Sequence, residues 1–330
     1  MPRVLTIIAL SFGVLIQHAL PYFHGRRLFG VTVPRGVRYG REGARIIRTY
    51  EMRLWPWTTL SLIVVILLPV SARPIIAAAA VTGVATSCAY ALAYNASRRF
   101  GAPDTGVRQA SLSDSGGDLR LIALRFLPPL AILAAVAVYV RAHWPRIPAR
   151  FPTHWTLEGI PDGWSDKTLA GVYGPPFFGT LIVLFLAGLC VLVLLGSRRT
   201  SPAWVAVKVA TVVAYLIATV FAMIAILPLH YLPPWTVLTV VAAYFIALVV
   251  IVARAVTRIS SEDDIGDFTP DECWRGGQFY YNPDDPALFV QTKIGTSLTL
   301  NFGNRAAWFV AGLIALYIAG LICLARWMWG

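Results

Sequence analysis

Charged residues are scarce in this chain, and their scarcity excludes a water-soluble globule. Only 13% of the 330 residues are charged, whereas ordinary soluble domains have about 25%. A soluble fold of this length needs a charged surface that 28 basic and 16 acidic side chains are too few to supply. Because 57% of the residues are hydrophobic, the apolar side chains must face lipid.

Cysteines are also few, and their positions exclude a disulfide framework. Of the four, Cys88, Cys190 and Cys323 lie in long apolar runs, and Cys273 lies in a polar segment assigned below to the cytoplasm. No pair therefore meets on the oxidising side of a membrane, and no disulfide is expected.

Long apolar runs, by contrast, are abundant. A transmembrane helix needs about 20 mostly apolar residues. Eight windows qualify: 4–20, 54–71, 74–95, 120–141, 175–196, 203–227, 235–254 and 306–326. The second and third windows are joined by a predicted tight turn at 70–73. We interpret the first window as an uncleaved helix, because cleavage would move the basic loop that follows it to the outside.

The basic residues set the expected orientation. Most of the 28 Lys and Arg residues lie on one side of the membrane, the side that the chain reaches at the end of the first window. Cytoplasmic flanks of transmembrane helices carry such an excess, so this side is predicted to be the cytoplasm. Both termini are therefore predicted on the outer side of the membrane. The predicted segments are 1–53, 54–141, 142–174, 175–259, 260–305 and 306–330, of which 142–174 is extracytoplasmic and 260–305 cytoplasmic. The expected fold class is an all-α integral membrane protein with about eight transmembrane helices.

The loop at 21–53 is rich in arginine. Arg38, Arg41, Arg45 and Arg48 are spaced to form one cationic stripe on a helix, and Ala44, Ile47, Tyr50 and Leu54 line another stripe. The stripe is interpreted as a topology signal, with a docking surface for acidic lipid or a cytoplasmic partner as the alternative. The net charge of +12 would also suit nucleic acid, but the stripe lacks a nucleic-acid-binding fold, so no direct contact is expected.

The outer loop 142–174 concentrates the candidate functional residues. Its prolines and glycines predict a β-hairpin or Ω-loop, and His143 and His230 are expected on the same face. Three interpretations stay open: a hydrogen-bonded turn, a recognition loop for a peptide or lipid headgroup, and a divalent-metal site at His154, Asp162 and Asp166. The recognition candidates are Pro152, His154, Trp155, Glu158, Gly159, Pro161, Asp162, Trp164, Asp166 and Lys167.

The segment 260–305 begins with acidic residues and continues with aromatic and branched ones. Two runs of strand-forming residues flank Asn282–Pro286, and Ser297–Phe302 offers a third run. A small cytoplasmic β-meander is predicted. The acidic stretch lacks the ligand spacing of an EF-hand and is interpreted as a solvated linker.

Three motifs resemble those of a known family. Pro152, His154–Trp155, Gly159, Pro161–Asp162 and Lys167 resemble a domain of unknown function in bacterial membrane proteins related to the immunity protein of the sporulation-delaying toxin, the SdpI family. That family usually has Asn where Thr156 stands. The segment 274–302 resembles a second uncharacterised domain, although its customary Gly-x-Gly-Trp-Thr-x-Asn is reduced here to Gly295 and Thr299-x-Asn301. Leu28–Pro34 resembles the opening loop of these proteins.

The resemblance implies an immunity or signalling protein of the bacterial cytoplasmic membrane. Its outer loop would recognise a peptide or envelope component, and its cytoplasmic segments would engage a regulator. Membrane lipids are the other expected partners. A membrane enzyme with an outward, metal-assisted hydrolytic site is the alternative, and a transporter is the second alternative. No catalytic residue is assigned, and no cofactor is expected apart from that metal.

Overall fold

The computed structural model describes residues 27–67, 72–101, 119–155, 160–197, 201–230, 232–261, 271–293 and 297–329, together with His18 and Thr269. In chain order the elements are β1 (Arg27–Leu28), β2 (Val31–Thr32), α1 (Arg35–Arg38), α2 (Arg41–Leu67), α3 (Ala72–Arg98), α4 (Leu119–Ala142), β3 (Arg150–Trp155), β4 (Pro161–Asp166), α5 (Leu169–Gly196), α6 (Ser201–Ile226), α7 (Pro234–Ser261), β5 (Trp274–Arg275), β6 (Phe279–Tyr280), β7 (Phe289–Gln291), β8 (Leu298–Leu300) and α8 (Arg305–Trp329).

The chain divides into two compact units. Unit 1 comprises Met1–Leu112 and Ala255–Asn304, and unit 2 comprises Ser113–Arg254 and Arg305–Gly330. Each unit has its own buried core, so each is described by itself.

Unit 1 is built on the antiparallel pair α2 and α3. Small residues of α3 such as Ala78 and Ala89 are buried, which lets two helix backbones approach closely. Polar contacts between the helices reinforce the packing: the Ser61 hydroxyl donates to the Ala78 carbonyl at 3.4 Å and also meets the Thr82 hydroxyl. In an apolar environment an unpaired hydroxyl is costly, so hydrogen bonds to another hydroxyl or to a backbone carbonyl stabilise the helix pair.

One end of α2 and α3 carries the core of unit 1. Buried side chains from the β1–β2 hairpin, from the first half of α2, from the second half of α3 and from the strands β5, β6 and β7 pack together there. They include Phe29, Tyr50, Tyr94, Trp274 and Tyr280. The loop after the first predicted span and the C-terminal strands therefore share one end of the helix pair, as the predicted cytoplasmic placement of both requires. Which side of the membrane this end faces stays a prediction.

The strands of the C-terminal segment differ from the predicted meander. The runs on either side of Asn282–Pro286 form β6 and β7, but β6 pairs with β5 and β7 pairs with β8. Gly276 and Gly277 both have positive φ and make the tight turn between β5 and β6. The two prolines after β6 have no N–H for a ladder, so the chain leaves the sheet there. A bridge between Tyr280 and Asn301 joins the two pairs.

Unit 2 contains the helices α4, α5 and α6, which pack on one another, together with α8 and most of α7. The Phe185 ring of α5 stacks on the Tyr317 ring of α8 with centroids 4.1 Å apart. The Thr219 hydroxyl of α6 lies 3.0 Å from the Tyr244 hydroxyl of α7. The β3–β4 hairpin follows α4 directly and leads into α5.

Six helices in the described ranges are long and apolar enough to cross a membrane. They correspond to the six predicted windows that begin at residue 74 and beyond. The window 54–71 coincides with the second half of α2, which is not among the six, and 68–71 lies outside the described residues. The window 4–20 also lies outside them, apart from the helical residue His18. The count of eight spans therefore stays a prediction. Of the turn at 70–73, Ala72 and Arg73 already belong to α3.

Candidate functional site

The loop 142–174, which is predicted to be extracytoplasmic, forms an antiparallel hairpin in which residues 150–155 pair with residues 161–166. Arg150 lies opposite Asp166, Phe151 opposite Ser165 and Pro152 opposite Trp164. The register then shifts, with His154 opposite Gly163 and Trp155 opposite Pro161. A shift of this kind is a β-bulge, which redirects side chains at the tip of a hairpin. A hairpin is one of the two shapes that the sequence favoured.

One face of the hairpin is fixed to the helices. Phe151 and Ile147 are buried with Val140 of α4 and Val172 of α5. Beside this cluster the Trp144 ring stacks on the Tyr173 ring at a centroid distance of 5.9 Å, and the Lys167 ammonium lies 5.4 Å from the centre of the Trp144 ring. Burial of these apolar side chains holds the strands against the helix ends.

The junction between β4 and α5 is tight. The Lys167 amide donates to the Ala149 carbonyl at 2.8 Å, and the Thr168 hydroxyl caps α5 by accepting from the Gly171 amide at 2.9 Å. A Cβ at Gly171 would collide with the Asp166 carbonyl oxygen and lie 2.6 Å from the Ser165 hydroxyl. Gly171 was not among the predicted site residues. A threonine three residues before it, just ahead of an apolar run, was the available signal for the helix start.

The opposite face of the hairpin is open. It carries Arg150, Pro152, Trp164 and Asp166, which we call the hairpin platform, because residues 150, 152, 164 and 166 alternate with the buried Phe151. The Arg150 guanidinium lies 5.6 Å from the centre of the Trp164 ring. Half of the Trp164 surface is exposed, at 50%. A large aromatic side chain thus lies beside a cation with half of its surface exposed.

The remaining candidates of the outer loop are only partly placed. Pro161 is exposed at the start of β4, and Glu158 and Gly159 lie outside the described residues. For His154, Trp155 and Asp162 the structure describes the backbone positions in the strands but not the side chains. Among the side chains that are described, no three His, Cys, Asp or Glu residues are grouped to hold a metal ion. The metal site at His154, Asp162 and Asp166 is not tested by this and stays a prediction.

Two histidines flank one tyrosine at the same end of unit 2. The Tyr139 hydroxyl lies 2.6 Å from Nε2 of His230, and the His143 ring lies 4.3 Å from the Tyr139 ring. Nδ1 of His143 donates to the Tyr139 carbonyl at 2.9 Å. His143 and His230 therefore do share a face, as expected, and they meet through Tyr139.

The predicted arginine stripe is interrupted at Arg38. Arg41, Arg45 and Arg48 are exposed on one side of α2 and form what we call the arginine face. Arg38 belongs to the separate helix α1 and is buried, with its guanidinium 5.7 Å from the centre of the Tyr39 ring. The expectation that all four lie on one helix is wrong because the chain bends at Tyr39 and Gly40.

Asn301 is the polar centre of the C-terminal strands. It is fully buried, and its amide group donates to the carbonyls of Asn282 and Asp285, both at 2.9 Å. Its side-chain oxygen accepts from the amides of Asn282 and Gly303, both at 3.0 Å. We call these four bonds the Asn301 network. The turn after β6 is thereby fastened to the end of β8, which no local sequence pattern could reveal.

Tyr280 adjoins this network. Its hydroxyl donates to the buried Asp285 carboxylate at 3.1 Å and accepts from the Asn282 side chain at 3.1 Å. Burial disfavours the charged phenolate and raises the pKa of Tyr280 to about 12. The side chain therefore stays a neutral donor throughout the physiological range.

Two models of families of unknown function match the chain in these two regions. The domain of unknown function DUF1648 matches residues 130–180, which cover the second half of α4, the hairpin and the start of α5. The family of unknown function DUF5808 matches residues 283–308, which include Asn301. No curated protein and no solved structure matches the chain.

The chain is accordingly a multi-pass membrane protein that carries two domains of unknown function. The two uncharacterised domains were predicted at these places in the sequence. Neither family description refers to the SdpI family, so kinship with that family stays a prediction.

Proposed function

We propose that this protein is an immunity or signalling protein of the membrane, in which the hairpin platform recognises an external peptide or envelope component. The observation that carries the proposal is the half-exposed Trp164, held under the Arg150 guanidinium on a hairpin whose other face is buried. Aromatic and arginine side chains presented on a rigid support are the residues that dominate binding energies in protein interfaces.

The chemistry of the platform indicates what it would bind. The open face of Trp164 and the adjacent Pro152 offer an apolar contact, and the guanidinium of Arg150 can donate to a carboxylate at the edge of that contact. A peptide with an apolar side chain close to a carboxylate fits both features. Ile160, which lies just before β4 and is 63% exposed, offers a further apolar side chain near the tip of the hairpin.

The arginine face is the second element of the proposal. Arg41, Arg45 and Arg48 are exposed, while Ile46, Ile47 and Tyr50 on the other side of α2 are buried in the unit 1 core. The helix is therefore held in place without the arginines, which leaves three cations in a row for an acidic regulator. Long-range attraction by such a row speeds association with an acidic partner.

The platform is tested by replacing Trp164 with alanine. Sensitive bacterial cells that produce the protein are challenged with the sporulation-delaying toxin, and survival is measured. We expect protection by the wild type, and its loss in Trp164→Ala and in Arg150→Gln. The matched control is Leu169→Ala, because Leu169 is a 72% exposed apolar residue at the same end that lies outside the hairpin. Equal protection by wild type and Trp164→Ala would contradict the proposal, as would absence of protection by the wild type.

The arginine face is tested with a photoreactive benzophenone amino acid at position 45, and at the exposed position 60 as a control. In cells challenged with the toxin, we expect position 45 to form an adduct with a soluble protein and position 60 to form adducts with lipid. Lipid adducts alone at position 45 would contradict the regulator and leave the arginine face as a leaflet contact.

A further inference from the structure

Unit 1 has an apolar groove between α2 and α3 that the proposed function does not use. Its volume is about 560 Å³, and its walls include Trp57 from α2 and Val81, Val84, Ala85 and Leu92 from α3. Val84 and Leu92 are exposed, whereas the small side chain of Ala85 keeps the floor low. The surface is therefore concave, unlike the convex side of a single helix.

The groove has the length of one membrane leaflet. It extends along α3 from Ala80 to Leu92, a distance of about 18 Å at about 1.5 Å per residue. The hydrocarbon core of a bilayer is about 30 Å thick, so one leaflet contributes about 15 Å. An acyl chain lying along the groove would be in contact with protein for its full depth in the leaflet.

A single cation lies at one end. Arg53 is the charged residue of the groove wall. Its neighbours along α2, Tyr50 and Leu54, are both buried in the cluster that contains Ala89 and Ala93 of α3. Arg53 therefore lies at the Leu92 end, the end that also carries the arginine face. Within the described part of the chain Arg53 has no carboxylate partner. A cation in this position suits an anionic headgroup, because phosphate accepts strong, charge-assisted hydrogen bonds from guanidinium.

His18, the one described residue of the first predicted span, does not lie in the groove. The His18 ring contacts the Trp55 ring at a centroid distance of 4.4 Å. Trp55 and Trp57 are about 200° apart around α2 at about 100° per residue, so His18 lies on the side of α2 away from the groove. Charge and length are the two features of the groove that favour a lipid as its occupant.

We infer that the groove binds one acyl chain of an anionic phospholipid whose phosphate lies on Arg53. This site is separate from the hairpin platform and from the arginine face. It would give unit 1 one retained lipid in addition to the lipids that surround the spans.

The test uses the full-length protein in detergent micelles and phosphatidylglycerol with a photoactivatable group on one acyl chain. Mass spectrometry of the labelled protein measures the number of adducts and their positions. We expect one saturable adduct per chain within residues 80–92, and labelling about tenfold weaker when phosphatidylcholine carries the same group.

Two variants are directed at the two parts of the site. Ala85→Phe fills the floor of the groove, and Arg53→Gln removes the cation; each should reduce the labelling at least fivefold. The matched controls are Ala79→Phe, an exposed alanine on the far side of α3, and Arg48→Gln on the arginine face, and both should label like the wild type. Size-exclusion elution shows which variants are folded.

Three results would overturn the inference. The first is equal labelling by the two phospholipids, and the second is equal loss in Ala79→Phe and Ala85→Phe. The third is a protein segment that occupies the groove in place of lipid. It would be detected as disulfide crosslinks between Cys88, which lies in the groove wall, and cysteines introduced into residues 4–20 or into a second copy of the chain.

Discussion

The Asn301 network allows a quantitative test of how the C-terminal strands are held. Asn301→Ala would leave three backbone groups without partners in a buried or part-buried place, namely the Asp285 carbonyl and the amides of Asn282 and Gly303. The Asn282 carbonyl would keep the Asp285 amide, which donates to it at 3.4 Å. At about 1 kcal/mol for each of these three groups, the lower end for a buried unsatisfied polar group, the loss is about 3 kcal/mol.

Hydrogen exchange measures this loss locally. The Asn301 amide donates to the Leu288 carbonyl and the Phe302 amide to the Tyr280 carbonyl, both at 2.9 Å, so both amides are protected while the strands are closed. A loss of about 3 kcal/mol should speed their exchange by about a hundredfold, at about 1.4 kcal/mol per factor of ten. Asn304→Ala is the control, because Asn304 donates to the Pro286 carbonyl at an exposed position. Its effect should stay below about 1 kcal/mol.

Asn301→Asp adds a test through pH. Aspartate retains the two accepting contacts but turns an oxygen towards the carbonyls of Asn282 and Asp285, and burial raises the pKa of such a carboxyl. The penalty is fully present above that raised pKa and is relieved as the pH falls through it, because the protonated acid can donate again. Exchange in Asn301→Asp should therefore slow relative to Asn301→Ala as the pH is lowered. Equal effects of Asn301→Ala and Asn304→Ala, or an Asn301→Asp penalty independent of pH, would refute the reasoning.

Two further predictions concern the hairpin junction and Tyr280. Gly171→Ala should lower the thermal midpoint of unfolding, because a Cβ there would clash with the Asp166 carbonyl oxygen. Such a clash costs about 1–3 kcal/mol, which outweighs the gain in helix propensity of about 1 kcal/mol. Gly188→Ala is the control and should not lower the midpoint, because a Cβ at Gly188 meets open space. The raised pKa of Tyr280 means that its contribution to stability is fully present below pH 10 and is lost as the pH rises through about 12. The difference in tyrosinate absorbance between wild type and Tyr280→Phe should show a midpoint near pH 12; a midpoint near pH 10 would show that the side chain is not buried.

Short-range patterns predicted the parts of the fold that depend on neighbouring residues. Apolar runs of sufficient length became six helices suited to a membrane, and the proline and glycine pattern of the outer loop became a hairpin. Gly276–Gly277 was overlooked as the tight turn, although it is also a local signal. That β6 pairs with β5 and not with β7 across Asn282–Pro286 needed more than local information, because several strand arrangements satisfy the same alternation of residues.

The sequence by itself determined that this is a membrane protein, where six of its helices run and where its two uncharacterised domains lie, because the length of an apolar run and the residues of a turn act locally. Only the tertiary structure decided which side chains contact one another across the fold. It buried Arg38 apart from the arginine face, brought Gly171 against Asp166, and gave Asn301 four backbone partners. These contacts depend on which distant segments pack together and on the angle at which neighbouring elements meet. Tertiary packing sets both, and no local sequence pattern does.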